Sequence, residues 1–211
     1  MSKKTLDKGY ERRNYNFEVR SEQKSDNVVT LRGLAVVFDS VTNIGPFDEV
    51  ISKSALDNTN LKDVRFLVNH DVNKIPLARS RNNNENSTLR LNVTDKGLEF
   101  EADVDTRNTE ASNLVNAVQR GDITGMSFMM LIRDGGYKWD DLKKEHPKRT
   151  ITDISDIFEI SAVTFPAYED TDLSLRDKEL LESDKRSLDN DRLALDNALE
   201  LEKLKIKILK G

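Results

Sequence analysis

The sequence predicts an α+β chain that is mostly strand and ends in a helix. Three observations carry this reading. Runs rich in apolar and β-branched residues recur through residues 28–164, with period-2 alternation at 88–93 and 97–104, residues 108–120 switch to a helical period, and composition changes abruptly near Arg176. At 211 residues the chain is long enough for one well-cored domain plus an appendage. We expect a flexible charged arm at 1–26, a folded domain at 27–175 and a Leu/Asp/Glu/Lys-rich helical tail at 176–211.

The first 25 residues are mostly polar and highly charged, with scattered Tyr10, Tyr15 and Phe17, which suits an arm leading into a first strand. Residues 28–38 (VVTLRGLAVVF) predict a long strand bent or bulged near Gly33. Gly45-Pro46 marks a turn, and residues 49–56 read as a short helix or irregular segment. Residues 65–68 form a short apolar strand that stops at Asn69-His70-Asp71, putting His70 at a strand end. Residues 88–93 and 97–104 alternate as a hairpin around Asp95-Lys96-Gly97. Leu114, Val115 and Val118 share one helical face, with Asn108 or Thr109 as N-cap and Gly121 as C-cap. Strand texture returns at 123–132, 149–154 and 157–164, and Phe165-Pro166 ends the last run. From Arg176 to Lys210 there is no Gly, Pro or aromatic residue, so a helix is expected. Its leucines at 181, 188 and 195 form only a weak heptad, with Lys185 and Arg192 on the same face. A helix docked on the domain or loosely ordered is the main expectation for this tail, and partner binding the lesser one.

Composition excludes several chemistries. With no Cys there is no disulfide framework, cysteine nucleophile or thiolate metal site, and with two His a multi-histidine metal centre would need carboxylates. No cofactor or metal is expected. A net charge of −5 and no basic stripe interleaved with aromatics argue against nucleic acid as partner. No run of about 20 apolar residues is present, and 1–13 has no apolar core of a secretory leader, so neither a membrane nor export is expected. A cytoplasmic setting fits the lack of Cys.

Ser127 interrupts a strongly apolar run (TGMSFMM), where a serine can be either an inward residue bonded to backbone or a nucleophile. Met129 stands where a nucleophile elbow would have its second glycine, which disfavours that framework. A serine nucleophile needs a base, and a neutral imidazole suits the task near neutral pH. His70, after an apolar strand, fits better than His146, which lies in the charged stretch KKEHPKR. The imidazole in turn needs an acceptor to hold its tautomer. Glu159 is the candidate because it interrupts an apolar strand (IFEISAV), where an unpaired carboxylate is costly. Asp71 and Asp156 are fallback orienters. Asp103 and Asp105, on one strand face, offer a remoter carboxylate or metal-dependent alternative.

Arg32-Gly33-Leu34-Ala35 with Phe38, the run FLVNHD at 66–71, Leu77-Ala78-Arg79-Ser80, the run RGDITGMSF at 120–128 and EISAVTFPAY at 159–168 together resemble the prohead proteases of tailed bacteriophages. These are capsid-maturation serine endopeptidases distantly similar to herpesvirus assemblin. The resemblance covers about residues 28–175. It implies Ser127 as nucleophile, His70 as general base and Glu159 where the herpesvirus enzymes carry a second histidine. It also implies a closed or nearly closed β-barrel surrounded by helices. The substrates implied are the major capsid protein and scaffold segments, cleaved inside the assembling procapsid in the host cytoplasm, with self-cleavage and a homodimer as family features. The oxyanion donors are expected in the loop after Val163. The competing expectation is a non-catalytic scaffolding factor acting through the C-terminal helix.

Overall fold

In the computed structural model, residues 10–16, 19–164 and 171–210 are described. The strands are β1 (Tyr10–Asn16), β2 (Arg20–Ser25), β3 (Val28–Val37), β4 (Thr42–Asn43), β5 (Asp48–Ile51), β6 (Arg65–Val68), β7 (Ala78–Arg79), β8 (Leu89–Thr94) and β9 (Gly97–Asp105), followed by helix α1 (Thr109–Arg120). Then come β10 (Gly125–Ile132), β11 (Tyr137–Asp140), β12 (Lys148–Ile151), β13 (Ile154–Val163) and the long helix α2 (Thr171–Lys210). The chain is thus α+β and strand-rich with a C-terminal helix, as expected.

The described strands pair into three sheets, ordered β1-β10-β13-β6-β7, β11-β12-β5-β4 and β2-β3-β9-β8. None of the three closes on itself, so the pairing shows no closed barrel. One apolar core joins them: Leu31 and Phe100 from one sheet, Ile51 and Ile151 from another, and Phe66, Phe128 and Ile160 from the third lie in a single buried cluster. Each such side chain stabilises the fold by roughly 1.5–3 kcal/mol on burial.

Local sequence explains most of the elements. The β3 strand bulges between Leu34 and Val36, just past Gly33. In the β8–β9 hairpin, Gly97 has φ +151°, and a Cβ there would lie 1.9 Å from the Val36 carbonyl oxygen, so only glycine fits. Helix α1 is capped by Asn108, whose Oδ1 accepts from the Glu110 N–H at 2.9 Å, and ends at Gly121 in the left-handed conformation.

Two expectations change. Residues 49–51 are not helical: they lie in strand β5, parallel to β12, and a short 3-10 turn follows at Lys53–Leu56. Residues 10–16 and 20–25, expected in a flexible arm, are strands; β1 pairs with β10 from Gly125 to Leu131.

Charge pairing explains how so polar a segment as β1 is held. Arg13 is 3 % exposed, and its guanidinium meets Glu49 of β5 (Nε to Oε1 2.5 Å, Nη2 to Oε2 3.0 Å), Glu11 (2.5 Å) and Asp177 of α2 (3.3 Å). Arg149 of β12, fully buried, donates to the same Glu49 and to Glu11, with its guanidinium over the rings of Phe47 and Tyr137. Burial alone would raise the Glu49 carboxyl and lower both guanidiniums, but their mutual attraction outweighs it and keeps all three charged. Helix α2 docks through this network and through Leu181, buried, and Asp184, which accepts from Tyr137 Oη (2.8 Å) and Trp139 Nε1 (2.7 Å). Beyond it Leu188, Leu193, Leu195, Leu199 and Leu201 are exposed.

Candidate active site

Register brings three side chains of β10 and β13 to one face. Ser127 pairs with Ser161 and Met129 with Glu159 across the antiparallel β10–β13 ladder. Facing residues share a face, with Cβ atoms about 4.5–5.5 Å apart, and alternation puts Glu159 and Ser161 on the same side. The intervening residues Met126, Phe128 and Met130 point the other way, into the core. The polar set is therefore the far face of an otherwise apolar strand pair.

His70 arrives from the neighbouring strand. β6 runs parallel to β13, with Leu67 beside Ser161 and Val68 beside Ala162. The chain then turns through two left-handed residues, Asn69 (φ 49°) and His70 (φ 58°), a conformation costing L-residues roughly 1–2 kcal/mol. Contacts hold the turn in place. The Asn69 N–H donates to the Ala162 carbonyl (3.0 Å), and Asn69 Oδ1 accepts from the Thr164 N–H (3.0 Å) and from Thr164 Oγ1 (3.3 Å). The His70 N–H donates to Ser161 Oγ at 3.2 Å.

The imidazole of His70 thus reaches Glu159, Nδ1 to Oε1 at 2.5 Å. An ionised carboxylate only accepts, so Nδ1 carries the hydrogen, and in the neutral imidazole Nε2 keeps its lone pair. The second oxygen of Glu159 accepts from Ser161 Oγ at 2.5 Å. Both carboxylate oxygens are satisfied although Glu159 is 3 % exposed, which answers the cost of a lone carboxylate in an apolar strand. The His70 side chain retains 14 % exposure, leaving the ring at the edge of the buried set.

Ser127 lies on this face but is fully buried, and its Oγ donates to the Arg13 carbonyl of β1 at 3.0 Å. Its hydroxyl hydrogen is therefore directed to β1.

The other candidate residues lie apart from this set. His146 is exposed and pairs with Asp48 (2.9 Å). Asp71 accepts from Asn73, and Asp156 from Asn60. Asp103 is bound by Arg90, Lys24 and Thr30, which outweigh burial and hold its carboxyl well below the usual range, and Asp105 is bound by Arg107. Among the described residues no group of three or more His, Asp or Glu is arranged to hold a metal ion. The expected oxyanion loop after Val163, at 165–170, lies outside the described residues. Ser161 was not singled out from sequence as a site residue, although its place two residues after Glu159 on a strand carries the signal.

Residues 15–186 match the model of the family described as caudovirus prohead serine protease. No curated protein and no solved structure matches the chain.

Proposed function

The chain belongs to the caudovirus prohead serine proteases, and from that premise we propose that Ser127 is its nucleophile, His70 its general base and acid, and Glu159 the group that orients His70. The family makes the protein a serine protease of phage capsid maturation, acting in the assembling procapsid. No helix among the described residues is long and apolar enough to cross a membrane. The observation that carries the residue assignment is the 2.5 Å contact between His70 Nδ1 and Glu159, on the face from which Ser127 projects.

The reaction is acyl transfer. Ser127 Oγ bonds to the scissile carbonyl carbon while its proton passes to His70 Nε2; the C–N bond then breaks and the proton leaves on the amine. Water, deprotonated by the same nitrogen, hydrolyses the acyl-enzyme and restores Ser127. During each transfer Glu159 faces an imidazolium instead of an imidazole, and its negative charge stabilises that state. The substrates in this reading are the capsid protein, its scaffold segment, or both, with self-cleavage included. The three sheets around one core would be arcs of the family's nearly closed barrel.

The test is co-expression with the neighbouring capsid protein and intact-mass measurement of both chains. Processing by the wild type, reduced to background by Ser127→Ala and by His70→Ala with the fold retained, is the expected result; unchanged processing by Ser127→Ala overturns the assignment. The exposed leucines of α2 favour a second, compatible role as a helix that engages the capsid protein. A purified chain that stays full-length for days beside its capsid protein would favour that role alone.

A further inference from the structure

A protease nucleophile must meet a peptide carbonyl, and in this fold Ser127 meets one from its own chain. β1 is the outer strand of its sheet and covers β10 over seven residue pairs, with Asn14 opposite Ser127 and the Arg13 carbonyl accepting the Ser127 hydroxyl at 3.0 Å. Ser127 is fully buried there, so no other peptide reaches it while β1 is seated. Without β1, β10 would be the sheet edge, presenting unpaired N–H and C=O groups of the kind that capture an extended peptide as an added strand. Most of β1 also precedes residue 15, where the family match begins.

The side chain attached to that carbonyl occupies a matching seat. Arg13 points to the opposite face, with Phe128, and its guanidinium lies on Glu49 at 2.5 and 3.0 Å and on Asp177 at 3.3 Å. Both carboxylates belong to other elements, β5 and α2, and remain when β1 leaves. Against them stands the buried Arg149, so the emptied seat holds two acids and one base and calls for one further cation.

We infer that β1 stands in for substrate: an extended peptide with a basic residue displaces residues 10–16 from the edge of β10 and seats its cation on Glu49 and Asp177. This rests on the reading of Ser127 as the nucleophile. It assigns the enzyme a preference for a basic side chain in the place of Arg13, and makes the N-terminal strand a competitor that substrate must outbid.

The chain has no cysteine, so a single reversible clasp tests this in the full-length protein. Tyr10 and Leu131 face each other across β1 and β10, and facing Cα atoms in such a ladder are about 4.5–5.5 Å apart, within disulfide reach. In Tyr10→Cys/Leu131→Cys, cleavage of purified capsid-protein precursor should fall to the Ser127→Ala background on oxidation and return with reductant. Equal rates in both states overturn the displacement of β1. Inactivity of the wild type as well overturns the protease reading itself, a separate failure. The second arm adds the free peptide YERRNYN, residues 10–16, to the wild type. It should inhibit competitively, and its Arg13→Gln counterpart should need about tenfold or more higher concentration, the scale of a hydrogen-bonded charge. Equal potency of the two peptides overturns the basic seat.

Discussion

Two polar clusters are buried on opposite faces of the same strands, and they are built for different ends. On one side, two arginines, Arg13 and Arg149, and three carboxylates, Glu49, Glu11 and Asp177, form a knot linking β1, β5, β12 and α2. On the other, His70, Glu159 and Ser161 form a short directional chain with one carboxylate and one titratable ring. In the knot the ion pairs hold Arg13, Arg149 and Glu49 in their charged forms against burial, while burial raises the Asp177 carboxyl. In the chain, the imidazole has a lone pair at Nε2 and one acidic partner behind it, the arrangement a proton carrier needs. In the proposed reading, what separates cohesion from catalysis is whether a group is left able to change its protonation state.

This contrast can be broken at several points. The largest effect is expected at Glu159→Gln, which keeps the size of the side chain but places an amide against Nδ1. Turnover should fall about ten-thousandfold, as for a wrong imidazole tautomer, with stability little changed. A mild loss would show that Glu159 belongs to the cohesive kind of cluster. In the knot, Arg149→Ala should cost about 3–5 kcal/mol of stability in denaturant titration because it leaves Glu49, Glu11 and Asp177 to share the single charge of Arg13. A cost below about 1 kcal/mol would mean that surface-like screening reaches these residues.

A smaller change is expected at Ser161→Ala, which removes the donor to Glu159 Oε2 and the acceptor of the His70 N–H. The expected loss is about tenfold in kcat with KM held and the acid limb of the pH profile displaced, and Ser161→Thr should restore both. A fall in stability with an unmoved pH profile would make Ser161 merely structural. The smallest effect concerns the dock of α2. Burial, and then the hydrogen bond to Asp184, push the Tyr137 phenol up from 10.0 to about 12. A phenol raised on folding contributes stability that is whole below about pH 10 and is lost as pH climbs through about 12. Ultraviolet titration should show one tyrosine ionising last, and Tyr137→Phe should delete that step; four tyrosines ionising together would contradict it.

The legible and illegible parts of the sequence divide along the same line. Elements set by local chemistry could be read directly: the bulged strand β3, the β8–β9 hairpin and the capped helix α1. The residues of the candidate site stand out in the sequence because they are out of place locally. Ser127 and Glu159 interrupt apolar runs, and with two histidines in the chain and one in a charged stretch, His70 stood nearly alone. The knot left no such trace. Tyr-Glu-Arg-Arg-Asn-Tyr-Asn has no apolar alternation, and it becomes a strand because Arg13 finds Glu49, 36 positions away, and β10 more than 100 positions away. The β5 strand was misread for the same reason: Glu49 looks like a surface residue until Arg149, 100 positions on, buries it.

The account stands most directly on the state of His70, and a chain with two histidines makes that state measurable. Nitrogen NMR of histidine-labelled Ser127→Ala protein gives two imidazoles, with the exposed His146 as internal reference. The account predicts that neutral His70 carries its proton on Nδ1, hydrogen-bonded to Glu159, with Nε2 bare, and that Glu159→Gln abolishes this preference. A neutral His70 protonated on Nε2, or one indifferent to Glu159→Gln, would contradict it.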